Sequence, residues 1–209
     1  RTMATMLDRG LGSGLVSRRP LPARYLVVGR EGCLALGEIL TKLIGLKGYA
    51  ATSLVRFDHS KMLTIYEIDV NGSLGGRDAN LMIVLNNEAL DYEECLAESG
   101  TMIIDASVVT RKPSKNIDTI FVPATILIRD IADGMSDEAR DRFDLALSGL
   151  LGSFEAIQNE YPDPELFRRV FEKLEIEPVA PFLAAVYRGY DWLQESWMRG
   201  KASCGGGAR

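Results

Sequence analysis

The chain has few of the side chains that most often do chemistry. Its 209 residues include one histidine and three cysteines. Cys33, Cys95 and Cys204 are odd in number and widely spaced, which fits neither a disulfide framework nor a zinc site. A reducing compartment, and so a cytoplasmic location, is the expectation. No apolar run approaches the roughly 18 residues of a membrane span. Excess positive charge is missing as well: 24 Lys and Arg face 29 Asp and Glu, for a formal net charge of −5. A nucleic-acid role would need a local basic patch, and none occurs beyond the N-terminus. Residues 1–25 carry five Arg and one Asp, a balance of +4 that leaves −9 on everything after them. This opening lacks the apolar stretch of a secretory signal. Its Arg-rich, acid-poor make-up faintly resembles an organelle transit peptide, but residues 1–24 are better read as a flexible basic arm laid on a partner subunit. The Gly205-Gly206-Gly207 end marks 199–209 as a disordered tail.

What remains, at 46% hydrophobic, supports one globular domain with a sizeable core over residues 25–198. Its organising stretch is Tyr25 to Gly48. Tyr25-Leu26-Val27-Val28 has the length and β-branched content of a buried strand. Gly29-Arg30-Glu31-Gly32 makes a turn. Leu36, Ile39, Leu40, Leu43 and Ile44 then mark one face of a helix, closed by a cation, Lys47, and by Gly48, which is free to take positive φ. A helix start of this kind presents free amides to an anion.

Tyr49 to Phe57 and Lys61 to Val70 read as two further strands, joined as a hairpin through Asp58-His59-Ser60. Asn71 to Gly76 is a loop by composition. Leu81 to Leu85 is a compact strand, and Asn86 or Asn87 would cap a helix beginning near Glu88. Strands at Thr101–Asp105 and Thr119–Val122 follow, the latter ended by Pro123. From about residue 124 the pattern turns helical. Phe143, Leu147, Leu150, Leu151 and Phe154 form one stripe. A helix opened by Asp163-Pro164-Glu165 comes next, then a last one over Val179 to Trp197. Strands alternating with helices predict an α/β fold, a mainly parallel twisted sheet flanked by helices, with a helical C-terminal part.

The chemistry-bearing residues do not assemble into a complete active site. Gly29 and Gly32 supply only part of a dinucleotide fingerprint. Asp58, a conceivable ribose-binding acid, lies 29 residues past Gly29, beyond the usual spacing of about 20. Glu31 would repel a phosphate by roughly 1 kcal/mol or more if shielded from water, unless Arg30 compensates. Cys33 stands where a helix dipole lowers a thiol pKa, although a buried small apolar role suits its isolation better. Asp58, His59 and Ser60 are adjacent on extended chain and so cannot form a triad among themselves; His59 is expected in a loop. Gly75-Gly76-Arg77-Asp78 is an ordinary glycine-rich approach to a strand. The aromatics Tyr187, Tyr190, Trp192 and Trp197 read as packing, and Glu93, Glu94, Asp137 and Glu138 as solvated helix faces.

The order of these elements resembles the gamma subunit, or gamma domain, of 2-oxoacid:ferredoxin oxidoreductases of the pyruvate type. Gly29-Arg30-Glu31-Gly32 falls on that family's Gly-Gly-Gln-Gly turn, and Cys33 to Leu40 follows in register. Leu85 to Leu90, Ser99 to Ile104, Val122-Pro123-Ala124, Leu147 to Gly152 and Tyr187 to Tyr190 resemble later family segments in the same order. Arg30 and Glu31 replace the family's Gly and Gln, and its tyrosine-glycine-proline-glutamate loop is absent. The resemblance implies an accessory subunit of a multi-subunit enzyme. Coenzyme A would be contacted on this chain at Gly29, Arg30, Glu31, Gly32 and Cys33. Thiamine diphosphate, magnesium and iron–sulfur clusters would lie on partner subunits, which would pass electrons to ferredoxin or a similar acceptor. Two alternatives stay open: a non-catalytic scaffold of the same fold that has lost its ligand, and a stand-alone nucleotide-binding enzyme of the NAD type.

Overall fold

A computed structural model of the chain describes residues 23–72, 78–136 and 145–204. The expected arm up to residue 22, the Gly75-Gly76-Arg77 loop, Asp137, Glu138, Phe143 and the glycine tail lie outside the described residues. Strand β1 (Ala23–Gly29) is followed by α1 (Cys33–Leu46), the hairpin β2 (Ala51–Asp58) and β3 (Leu63–Val70), and then β4 (Ala79–Val84). A 3-10 segment, Asn87–Cys95, leads into β5 (Leu96–Asp105) and β6 (Asp118–Val122). Helices α2 (Ala124–Leu127), α3 (Arg129–Asp133), α4 (Leu145–Ile157), α5 (Pro164–Lys173) and α6 (Val179–Cys204) complete the order. The six strands lie in the order β2-β3-β1-β4-β5-β6. Only β3 runs against its neighbours, pairing antiparallel with both β1 and β2, while β1, β4, β5 and β6 pair in parallel. The mainly parallel sheet and the hairpin are as the sequence predicts.

Period-2 alternation splits the strand residues between two faces. On one face Tyr25, Val27, Tyr66, Ile68, Leu81, Ile83 and Ile103 form a core with α1, α4, α5 and α6. On the other, Leu26, Val28, Ile65, Met82, Val84, Met102 and Ile104 are covered by Ala89, Leu90 and Tyr92 of the 3-10 segment and by Val109 and Ile117. The helical face is the thick one. Every residue of α4 is buried, and α4 crosses α6 so closely that a β-carbon on Gly189 would stand 1.8 Å from the Gly149 carbonyl oxygen. The Ser153 hydroxyl seals the crossing, reaching the carbonyls of Gly149 and Gly189 at 3.3 and 3.2 Å.

Several local expectations need correction. The sheet begins at Ala23, so Ala23 and Arg24 belong to β1 rather than to an arm ending at 24. The last helix continues to Cys204, well into the expected disordered tail. The helix near Glu88 is a 3-10 segment that no asparagine side chain caps. The Asn86 amide instead donates to the Glu88 carboxylate, and Asn87 Oδ1 accepts the amides of Thr110 and Arg111, each at 2.9 Å. Glu93 is buried, not solvated; its carboxylate takes the Ser114 amide at 2.9 Å and the Ser114 hydroxyl. Strand β5 starts five residues before the expected Thr101, and its register against β4 shifts between Leu96 and Thr101. By contrast α5 is built as its sequence says: the Asp163 carboxylate accepts the Glu165 amide at 2.9 Å ahead of a proline in the first turn.

Candidate functional site

Strand order places the candidate site. From β1 the chain crosses toward β2, whereas from β4 it moves toward β5, so the crevice between the carboxyl ends of β1 and β4 is the switch point of the sheet. Open α/β sheets take ligands at such a point. Two segments meet there, the 29–33 turn and residues 85–88, tied by the Leu85 amide to the Val28 carbonyl at 3.0 Å.

Packing sets the shape of the turn. A β-carbon on Gly29 would lie 2.6 Å from that of Leu85, so only glycine lets β1 end against this neighbour. Gly32 has φ 73°, a left-handed conformation suited to glycine. It serves as the N-cap of α1 without a side chain to occupy the first amides, and Leu147 of α4 closes over it, 2.7 Å from where a β-carbon would stand. Arg30 and Glu31 are exposed, Gly32 is half-buried, and Gly29 and Cys33 are buried. Arg30 is directed at Glu88, 3.2 Å away, rather than at Glu31. Glu88 sits below the usual carboxylate range, held first by its backbone hydrogen bond, then by the Asn86 amide and the Arg30 charge. Beside it, Asn86 Oδ1 is buried with no donor among the described residues.

The turn carries no nucleophile at its surface. Cys33 faces into the core, its thiol within 3.1 Å of the Val27 carbonyl and 3.3 Å of that of Thr64. Burial pushes the thiol up to about 12 despite backbone hydrogen bonds at Tyr66 and Gly29, so the buried reading of this residue is the one the structure supports. Asp58 lies on the edge strand, with β3 between it and β1. One of its oxygens takes the Ser60 amide and hydroxyl, at 2.9 and 2.6 Å, and the other takes the Tyr92 hydroxyl at 2.5 Å. The Ser60 hydroxyl, and after it Tyr92, hold the acid down to about 2. A ribose would have to displace those partners. His59 is in the loop expected for it, edge-on to Phe57 at 4.7 Å. Among the described residues no group of three or more His, Cys, Asp or Glu is placed to hold a metal ion, and no helix is long and apolar enough to cross a membrane.

Comparison of the fold with solved structures brings out relatives. The gamma subunit of a keto/oxoacid ferredoxin oxidoreductase from Geobacter sulfurreducens superposes with a TM-score of 0.61 at 19% identity, covering 80% of this chain and 95% of that one. Pyruvate oxidoreductase subunit PORC from Thermotoga maritima gives 0.60 at 14% identity, covering 81% and 95%. The fold is that of an oxoacid oxidoreductase gamma subunit. A third neighbour, 2-oxoglutarate:ferredoxin oxidoreductase from Magnetococcus marinus, solved with 2-oxoglutarate, coenzyme A and succinyl-CoA bound, gives 0.57 at 14% identity. The match covers 79% of this chain but only 29% of that longer one. No protein-family model and no curated protein matches the chain.

In this gamma-subunit fold the five sequence-predicted residues are contiguous at the switch point. Sequence reasoning missed the residues that complete the crevice: Leu85, Asn86 and Glu88 across it, and Leu147 beneath it. The Leu-Asn-Asn-Glu run directly after an apolar strand was the available signal for the first three. For Leu147, over a hundred residues away in the chain, there was none.

Proposed function

We propose that this chain is the accessory, gamma-type subunit of a multi-subunit 2-oxoacid:acceptor oxidoreductase. Its thiamine diphosphate, magnesium and iron–sulfur clusters would lie on partner subunits, with ferredoxin or a similar carrier as acceptor. The observation that carries this reading is the likeness to two gamma subunits along 95% of their length, with the glycine turn at the switch point.

Coenzyme A, bound in the Magnetococcus neighbour, is the ligand for which the turn is best arranged. The uncapped amides of Cys33, Leu34 and Ala35 would hold a phosphate oxygen, and the exposed guanidinium of Arg30 would face a second. The bound carrier would supply a thiol that accepts an acyl group. Glu31 and Glu88 oppose this, each by roughly 1 kcal/mol where water is partly excluded. Calorimetric titration of the purified chain with coenzyme A tests the site. Glu31→Gln should tighten binding several-fold and Arg30→Glu should abolish it; affinity unmoved by both would remove the turn as the site. Pull-down of the full chain should bring larger subunits with the visible absorption of iron–sulfur clusters, and their absence would overturn the subunit reading.

The diversion of Arg30 to Glu88 favours one second reading, a scaffold subunit that keeps the fold without the ligand. Co-purification of the large subunits together with silence toward coenzyme A would select it.

A further inference from the structure

The two edges of the sheet are finished differently. Strand β6 has five residues and is half covered, opening on Asp118 and ending on buried Val122 just before Pro123. Strand β2 has eight residues, pairs without a bulge along its whole length, and is exposed from Thr52 to Phe57 on both faces. Natural edge strands are blunted by lysine, proline, bulges or a covering element; among the described residues β2 has none of these. Its one cation, Arg56, is spent on Glu67 of the neighbouring β3. Around the bare edge Tyr49, Leu54, Val55, Phe57 and Met62 are each between 41% and 62% exposed.

We propose that this edge is a homodimer interface, in which β2 pairs antiparallel with β2 of a second copy about a two-fold axis at Leu54. A two-fold axis perpendicular to a sheet keeps each residue on its own face, so facing residues must share parity. With Leu54 on the axis, Phe57 faces Ala51, Arg56 faces Thr52 and Val55 faces Ser53. Leu54 meets its own copy on the axis, while on either side of it each larger side chain meets a smaller one, as interdigitated packing requires, and no like charges stand opposite one another. This self-complementarity selects a second copy over an unrelated strand. Of the five exposed side chains, Leu54, Val55 and Phe57 lie on the paired segment and offer on the order of 300 Å² at roughly half exposure. With the backbone of the paired strands this stays below the roughly 800 Å² per partner of a standard interface, so the dimer is a weak, concentration-dependent one. The pairing would join two six-stranded sheets into one continuous sheet. It concerns the chain alone and does not depend on the oxidoreductase reading.

Sedimentation equilibrium of the full chain over a concentration series tests the pairing. The expected result is a concentration-dependent mass rising to twice the 23.0 kDa of one chain. Leu54→Lys puts two ammonium groups on the axis and should weaken the dimer at least tenfold, about 1.4 kcal/mol. Its circular dichroism and melting temperature as a monomer should stay unchanged, because the position is exposed. Cysteine trapping in a Cys95→Ser, Cys204→Ser background reads the register. Leu54→Cys brings two β-carbons to about 4.5–5.5 Å and should cross-link on mild oxidation. Val55→Cys, on a diagonal of about 7–8 Å, should not. A chain that stays monomeric throughout, a Leu54→Lys mass equal to wild type, or cross-linking at 55 instead of 54 overturns the proposal. So does a β2 whose amides become protected from exchange only when a different protein is added.

Discussion

Glu155 and Glu93 are both buried carboxylates, yet the two faces of the sheet push them in opposite directions. On the helical face Glu155 lies in a fully buried helix, with Lys47 Nζ 2.7 Å from each of its oxygens. Burial outweighs that ammonium and drives the carboxyl up to about 7. On the thin face burial also pushes Glu93 upward, but the hydroxyl and amide of Ser114 and the amide of Lys115 together overcome it and hold the acid below its ordinary range. Dense helix packing excludes water and supplies few donors. A 3-10 segment over a loop excludes less water and turns backbone amides toward whatever it buries. Both faces have packed apolar cores, but the carboxylate on the helical face is left to one ammonium while its counterpart is held by loop amides and a hydroxyl.

The sharpest way to break this contrast is at the α4–α6 crossing. Gly189→Ala forces a β-carbon into the Gly149 carbonyl and should cost about 3–5 kcal/mol, read as a lower denaturant midpoint at constant m-value. Nearly as large is Lys47→Met, which leaves Glu155 buried without its cation; a loss of about 3–5 kcal/mol at pH 8 is expected, much smaller at pH 5, where the carboxyl is protonated. The pH dependence follows from the same residue. Because its pKa is raised on folding, from 4.5 to about 7, the folded state holds the extra proton between those values. Stability should therefore fall as pH rises from about 4.5 to 7, and Glu155→Gln should flatten that slope in thermal melts.

The opposite face should give smaller effects of reversed sign. Ser114→Ala removes the hydroxyl donor, but not the amide, from a depressed carboxyl. Its cost of about 1–2 kcal/mol should be present at neutral pH and fade as pH drops below the ordinary Glu range. Smallest of all is Gly45→Ala in α1, where a β-carbon meets nothing within 4 Å. A gain of about 0.5–1 kcal/mol is expected there.

The α/β class and the order of elements could be read from the sequence; in detail, what was legible was local. The β1–turn–α1 unit, the hairpin and the capped start of α5 each declare themselves within a few residues, and the structure has them where expected. Glu93 could not be placed, because Ser114 is 21 residues away and nothing in a Tyr-Glu-Glu run distinguishes a buried acid from a solvated one. Asn86 and Asn87 have the right chemistry for a helix cap but spend it on Glu88 and on the 110–111 backbone, a competition visible only in three dimensions. The apolar content of β2 suggests burial, while its place at the sheet margin denies it. At the candidate site, Gly29 to Cys33 were legible because a turn is contiguous. Glu88, which claims the Arg30 charge, was not.

The hairpin has a consequence for the order of assembly. Four residues separate β2 from β3, so their contacts close the shortest loop in the sheet, a microsecond event by the standards of isolated hairpins. The β1–β4 pairing must wait for some fifty residues to be threaded between them. On a ribosome, the outermost ribbon would thus be zipped while the centre was still open, and the first surface a nascent chain showed its neighbours would be its stickiest one.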